Sequence, residues 1–182
     1  MSTTTAVGTT WAIDTAHSEV SFKVKHLVIS TVTGYFREFE GAINSPEAGW
    51  EGSNVSFSLS TASIDTNQAD RDAHLRSDDF FNSEAYPTLN FVSTAFEKVT
   101  DHQYKVTGEL TIRDITKVVS FDAHFLGEVK DPYGQHKAAF EINGLINRQD
   151  FNLRWSALTE TGGLVVSDEV RFQLNVQVIK QA

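Results

Sequence analysis

Apolar and polar residues alternate with a period of two along most of this chain. The clearest stretch is Tyr104-Lys105-Val106-Thr107-Gly108-Glu109-Leu110-Thr111-Ile112-Arg113, in which every even position is apolar or glycine. The pattern recurs in Val20, Phe22 and Val24; in Val55, Phe57 and Leu59; in Val119, Phe121, Ala123 and Phe125; in Ala138, Phe140 and Ile142; and in Val170, Phe172, Leu174, Val176 and Val178. Successive side chains of a strand point to opposite faces, so this spacing predicts antiparallel strands with one dry and one solvated face. Turn signals divide the pattern into a short strand near 11–13 and eight longer ones near 19–26, 33–43, 54–62, 88–96, 103–114, 117–127, 136–147 and 168–179. One connection, Asp131-Pro132-Tyr133-Gly134, has the proline and glycine placement of a type I turn. Short connections predict an up-and-down meander, and eight such strands can close into a barrel whose interior is filled by side chains or holds one small ligand.

Two segments break the strand rhythm. From Asp65 to Ala85 the chain is charged, offers Asp65 and Thr66 as caps, and spaces Ala69, Ala73 and Ser77 four apart, which predicts a short helix. Leu75, Phe80 and Phe81 are placed to tie its far end to the barrel. The apolar run His26-Leu27-Val28-Ile29-Ser30-Thr31-Val32 lies between two strands and reads either as a lid turn or as a plug.

A chain of 182 residues is within single-domain range, and no linker, repeat or low-complexity segment divides it. We expect residues 1–10 to be a flexible polar leader and 11–180 to be one domain. The formal net charge of −9, with lysines and arginines scattered singly, argues against a nucleic-acid partner. No stretch approaches the roughly 20 apolar residues of a membrane-spanning helix. With no cysteine there is neither disulfide nor thiolate chemistry. The polar start lacks the features of a signal peptide, so the chain as written is expected in the cytoplasm, or in the periplasm or outside the cell if a signal peptide has been removed.

Catalytic signatures are missing. The six histidines show no close pair of metal-clasp spacing, and no serine has the nucleophile-elbow context. Thr161-Gly162-Gly163-Leu164 reads as a loop and not a phosphate cradle, because no helix bearing a lysine follows. We therefore expect no catalytic residue, metal or cofactor. The densest polar cluster is Arg71, Asp72, His74 and Arg76. It reads either as a site where an arginine faces a polar head group, or as a solvated helix face with Asp72 and Arg76 paired at i,i+4. Arg148, Asp150, Arg154 and Trp155 lie near Asp168-Glu169 and read as a salt-bridge network that closes the barrel. Thirteen Phe and three Trp are either core filler or the wall of an apolar cavity, and parity alone favours filler.

Several motifs then fall into one family's order: Trp11-Ala12-Ile13-Asp14-Thr15-Ala16-His17-Ser18; His26-Leu27-Val28-Ile29-Ser30-Thr31-Val32-Thr33-Gly34-Tyr35-Phe36; Arg71-Asp72-Ala73-His74-Leu75-Arg76-Ser77-Asp78-Asp79-Phe80-Phe81; Tyr86-Pro87; Gly108-Glu109-Leu110-Thr111-Ile112-Arg113-Asp114-Ile115-Thr116-Lys117; Asn147-Arg148-Gln149-Asp150-Phe151; and Ser167-Asp168-Glu169-Val170. Together they resemble the YceI family of polyisoprenoid-binding, lipocalin-like bacterial proteins, over residues 11–180. Two loop positions depart from the family pattern, with Asp114 and Asn152 standing where glycine is usual.

The resemblance implies an all-β fold, an eight-stranded antiparallel lipocalin-like barrel with one short helical segment packed against it, often as a homodimer. It reverses the preference for a filled core and implies a long apolar cavity that holds an isoprenoid or fatty amphiphile without turnover. The expected ligand-binding residues are Phe22, Val24, Phe57, Leu59, Phe91, Leu110, Phe121, Phe140 and Phe172 along the tail, with Arg71, His74 and Trp155 at the mouth. A homodimer is also expected because the apolar loop Leu27-Val28-Ile29 would be a hazard if left in water. Two alternatives remain open at this point: an enzyme acting on such a lipid through His74 and a neighbouring carboxylate, and a packed structural or stress-response protein without ligand.

Overall fold

The computed structural model describes residues 8–156 and 165–182. The Thr161-Gly162-Gly163-Leu164 loop and most of the expected leader lie outside these residues. Thr9 and Thr10, expected in the leader, are instead the first residues of a strand. The strands are β1 (Thr9–Ile13), β2 (Glu19–His26), β3 (Ser30–Phe36), β4 (Phe39–Ser45), β5 (Asn54–Ser60), β6 (Ile64–Asp65), β7 (Thr88–Lys98), β8 (Gln103–Ile112), β9 (Ile115–Lys130), β10 (His136–Asn147) and β11 (Val166–Lys180). The helix α1 spans Ala69–Arg76.

Every pairing is antiparallel, and the strands join into a closed barrel. β1 with β2, β3 with β4, and β5 with β6 are each one strand bent in the middle, so these three and β7 to β11 make eight walls in chain order. β11 closes the circle, pairing with β10 on one edge and with both β2 and β1 on the other. The strand expected over 33–43 is interrupted at Arg37-Glu38. Phe36 is buried and Phe39 packs in the same apolar cluster, three positions apart, so the inward parity slips by one there. The bend is held from outside: the Arg37 and Glu38 amides donate to the Ser63 carbonyl and hydroxyl at 3.2 and 3.1 Å.

Helix α1 forms where the charge pattern places it, but its cap differs. Gln68, not Asp65 or Thr66, accepts from the Arg71 amide. Asp72 is buried and accepts from the Thr66 amide and hydroxyl, which ties the helix to the preceding chain. The face formed by Ala69, Ala73 and Ser77 is exposed, and Leu75 supplies the helix's apolar contact with the barrel.

The two barrel ends differ. At one, Trp11, Trp50, Phe96, Tyr104 and Phe140 are buried in one cluster, with the Trp11 and Trp50 rings 5.0 Å apart and Trp50 edge-on to Phe140 at 4.9 Å. Such aromatic pairs add to area burial, and the cluster forms a solid floor. The other end lies under α1, Phe80, Phe81 and the chain after β10. In the wall between them, phenylalanines stand opposite glycines across strand pairs, Phe22 against Gly34 and Phe172 against Gly144. A methyl group on Gly144 would stand 2.2 Å from Phe172 Cζ and 2.5 Å from Phe121 Cδ1, so the missing side chain makes room for the rings. We expect Gly144→Ala to destabilise the fold by about 1–3 kcal/mol in urea denaturation; unchanged stability would show that the rings have space to retreat.

Candidate ligand cavity

The interior is not filled to the top. Above the aromatic floor is a cavity of about 200 Å³ that runs toward the α1 end. Of its thirty lining residues only Ser21 and Arg148 are polar. Phe22, Val24, Phe57, Phe172 and Leu174 point inward yet are only half-buried, because they face this space. The volume lies below the roughly 300–1,000 Å³ of sites for drug-sized ligands. A space of this size and lining suits an apolar chain.

Neither polar lining residue offers a free donor. Ser21 Oγ donates to the Gln173 carbonyl at 3.2 Å. Arg148 is 3 % exposed, and its guanidinium donates to the carbonyls of Leu153, Trp155 and Ser167 at 2.6, 2.7 and 2.9 Å, with Asp168 3.4 Å away. Burial lowers its pKa and the Asp168 carboxylate opposes that shift. A buried guanidinium saturated by carbonyls acts as a bracket, holding residues 153–155 against 166–168 at the mouth. Of the salt-bridge network expected among Arg148, Asp150, Arg154 and Asp168-Glu169, only the Arg148–Asp168 pair forms among the described residues; Asp150 and Arg154 join no ion pair there, Glu169 faces Arg171, and the main partners of Arg148 are backbone carbonyls.

Nine expected tail contacts, Phe22, Val24, Phe57, Leu59, Phe91, Leu110, Phe121, Phe140 and Phe172, all line the cavity. The three expected mouth residues do not. Arg71 is exposed and turned back on the chain, its Nε donating to Thr66 Oγ1 at 2.7 Å and its Nη2 to the Thr66 carbonyl. His74 Nε2 lies 2.8 Å from Asp79, and its ring sits edge-on to Phe80 and Trp155 outside the cavity. The expected Asp72–Arg76 pair is also replaced, because Asp72 serves Thr66 and Arg76 Nε donates to the Ala62 carbonyl at 3.0 Å. A side chain of the right charge is captured by the nearest unpaired carbonyl, which residue type alone does not reveal. Arg148 enters the sequence reading only as a network residue, and Trp11 and Trp50 do not enter it as a floor: parity identifies a face but not a depth, and Trp50 lies in a loop outside the alternation.

From the β8–β9 turn, Arg113 anchors the segment after α1. It donates to the carbonyls of Asp78 and Phe80 at 2.8 and 2.9 Å and to the Asp78 carboxylate at 2.7 Å, which fixes the turn carrying Phe80 and Phe81 into the cavity. Its φ is 55°, an uncommon conformation for a side-chain-bearing residue. The positive-φ residues of the described chain separate by end. Gly49, Gly52, Gly127 and Gly134 lie toward the floor, whereas Leu27, Val28, Asn67, Asn82, Arg113 and Asn152 lie at the mouth. Asn152 adopts φ 62° where the family pattern has glycine, a conformation asparagine tolerates. Backbone strain is thus concentrated at the open end.

Comparison with known proteins places this architecture. The YceI-like domain family model matches residues 11–178. Protein YceI of Escherichia coli O157:H7 is 37% identical over 165 residues, covering 91% of this chain and 83% of that protein. A UPF0312 protein of Photorhabdus laumondii is 41% identical over 138 residues, covering 76% of this chain and 71% of its own. The crystal structure of the Campylobacter jejuni YCEI protein superposes with a TM-score of 0.76 at 35% identity, covering 93% of this chain and 96% of that one. A polyisoprenoid binding domain from Saccharophagus degradans shares the fold with a TM-score of 0.68 at 16% identity, covering 94% of this chain and 98% of that one. With a closed eight-stranded barrel, an apolar lumen and this match across nearly its whole length, the chain belongs to the YceI-like domain family.

Proposed function

We propose that this protein binds, and carries or stores, an isoprenoid or other long-chain amphiphile without chemical turnover, the tail in the cavity and the head at the α1 end. The observation that carries this reading is the lining itself: an apolar bore above a packed floor, whose two polar residues are both fully engaged with the protein. Each methylene transferred from water into such a space contributes about 0.8 kcal/mol, so a tail alone supplies affinity. The polyisoprenoid binding domain from Saccharophagus degradans, which shares the fold, is named for the same ligand class. An enzymatic reading finds less support, because the His74–Asp79 pair stands outside the cavity and no acid–base pair lines it among the described residues. A homodimer belongs to this proposal through the family resemblance, and sedimentation equilibrium tests it.

The site makes selectivity a matter of length. Across a series of prenyl alcohols, affinity should rise by about 0.8 kcal/mol per added methylene-sized group until the bore is full, then level off. Ile142→Trp, which places a large ring in the lumen, should move that plateau to shorter chains; the same plateau in both proteins would place the tail elsewhere. Fluorescence titration reads both series.

Head-group charge should matter little to the groups that line the bore. Arg71→Ala should change the affinities for a prenyl phosphate and its neutral alcohol equally, since Arg71 is engaged with Thr66. A selective loss of about 1.5–3 kcal/mol for the phosphate would restore Arg71 as a head-group contact. Phe121→Asp should abolish binding of both ligands, because it buries an unpaired carboxylate in an apolar wall.

A further inference from the structure

The turn between β2 and β3 is built against the usual rules of turn chemistry. Its residues are Leu27, Val28 and Ile29, and the last two are 73% and 86% exposed. Leu27 and Val28 adopt φ of 53° and 65°. Left-handed backbone is unfavourable for residues with a Cβ and most of all for a β-branched one, so asparagine or glycine would be both more stable and more soluble here. Strain and exposure at the same residues point to a requirement outside the folded chain.

The turn's position says what kind of requirement. It stands at the mouth end, where the Leu27 amide donates to the Val165 carbonyl at 2.9 Å, beside the cavity residues Val24 and Val166. From Ser30 to Gly34, β3 has no strand on its far side among the described residues, so the β2–β3 hairpin forms a rim of the barrel. The outward face behind the tip is basic. Lys23 and Lys25 project from β2, and Arg171 lies opposite Lys23 in the β2–β11 register. Among the described residues neither lysine is in an ion pair; Lys25 Nζ donates only to Thr31 Oγ1 at 2.9 Å, and Arg171 has a loose contact with Glu169 at 3.7 Å. This row stands out on a chain of net charge −9.

We propose that the Leu27-Val28-Ile29 tip, backed by Lys23 and Lys25, docks the mouth of the barrel on an anionic lipid bilayer. The apolar side chains enter the acyl boundary while the lysines reach phosphates at the head-group level, the arrangement by which peripheral proteins combine buried apolar area with charge. Three residues are too few for a second copy of the chain as occupant, because a stable dimer buries about 800 Å² on each partner. A bilayer needs only a few inserted side chains. The proposal rests on the lipid-binding reading for its purpose, since docking at the mouth shortens the path of an apolar tail between membrane and lumen.

Flotation of the full chain with vesicles of phosphatidylcholine, alone or mixed with phosphatidylglycerol, tests it. The protein should float with the anionic vesicles, less with the neutral ones, and less again as salt is raised. Val28→Asn/Ile29→Asn should weaken partitioning about tenfold or more. Asparagine also suits the left-handed backbone, so this variant should melt no lower than the parent, which separates lost docking from lost folding. Lys23→Gln/Lys25→Gln should lose about fivefold per lysine on anionic vesicles and nothing on neutral ones. Unchanged flotation of the asparagine variant would overturn the proposal. So would a parent protein that ignores vesicles, or one that self-associates through these residues instead. Titration of a prenyl alcohol without vesicles separates the two readings: a protein that docks but takes up no prenyl chain removes the carrier function and leaves the docking surface, whereas retained uptake in a variant that no longer docks supports both.

Discussion

Closure of the sheet through β11 is the interaction on which the rest depends. One edge of that strand is held by β10 over eleven residue pairs, from Lys137↔Ile179 to Asn147↔Glu169, and the other is shared by β2 and β1. An open sheet of this length would have two unpaired edges; closure through β11 pairs them over most of their length, leaving the Ser30–Gly34 edge at the rim, and gives the interior a set bore. What the side chains then do with that bore decides function. At one end Trp and Phe rings fill it. Toward the other, Phe22, Phe57 and Phe172 line it, and a cavity remains.

The cavity's chemistry follows from satisfying the two polar side chains that line it. Arg148 supplies donors to a run of mouth carbonyls that no strand ladder reaches, and Ser21 turns its hydroxyl into the wall. A lumen built this way offers no directional contact to a ligand, so recognition falls to bore and length. Arg113, itself in a left-handed backbone, holds the turn at Asp78–Phe80, Asp72 ties α1 to Thr66, and the strained Leu27-Val28 turn stands on the rim. The floor end, by contrast, places its positive-φ residues at glycines and buries Trp11, Trp50, Phe96 and Phe140.

Much of this was legible in the sequence because a period of two admits one inward set of residues, and that set closes the barrel. Phe22, Phe57, Phe91, Leu110, Phe121, Phe140 and Phe172 all share the lumen for that reason. The pattern failed where local geometry overrides it. Phe36 and Phe39 both pack inward across a bend that breaks parity, and the ends of the barrel cannot be told apart by alternation. Charged residues were the least legible: Arg71, Arg76 and Arg148 look alike in sequence, but backbone carbonyls, invisible there, decide that the first two lie outside the cavity and the third in its wall.

The central claim is that the space above the aromatic floor is occupied by an apolar chain in the working protein. Native mass spectrometry of freshly purified protein, followed by organic extraction and analysis of the extract, addresses it most directly. The account predicts an added mass released by solvent and identified as a prenyl or fatty-chain amphiphile. A protein that carries no such mass, and acquires none on incubation with prenyl lipids while remaining folded, would contradict it.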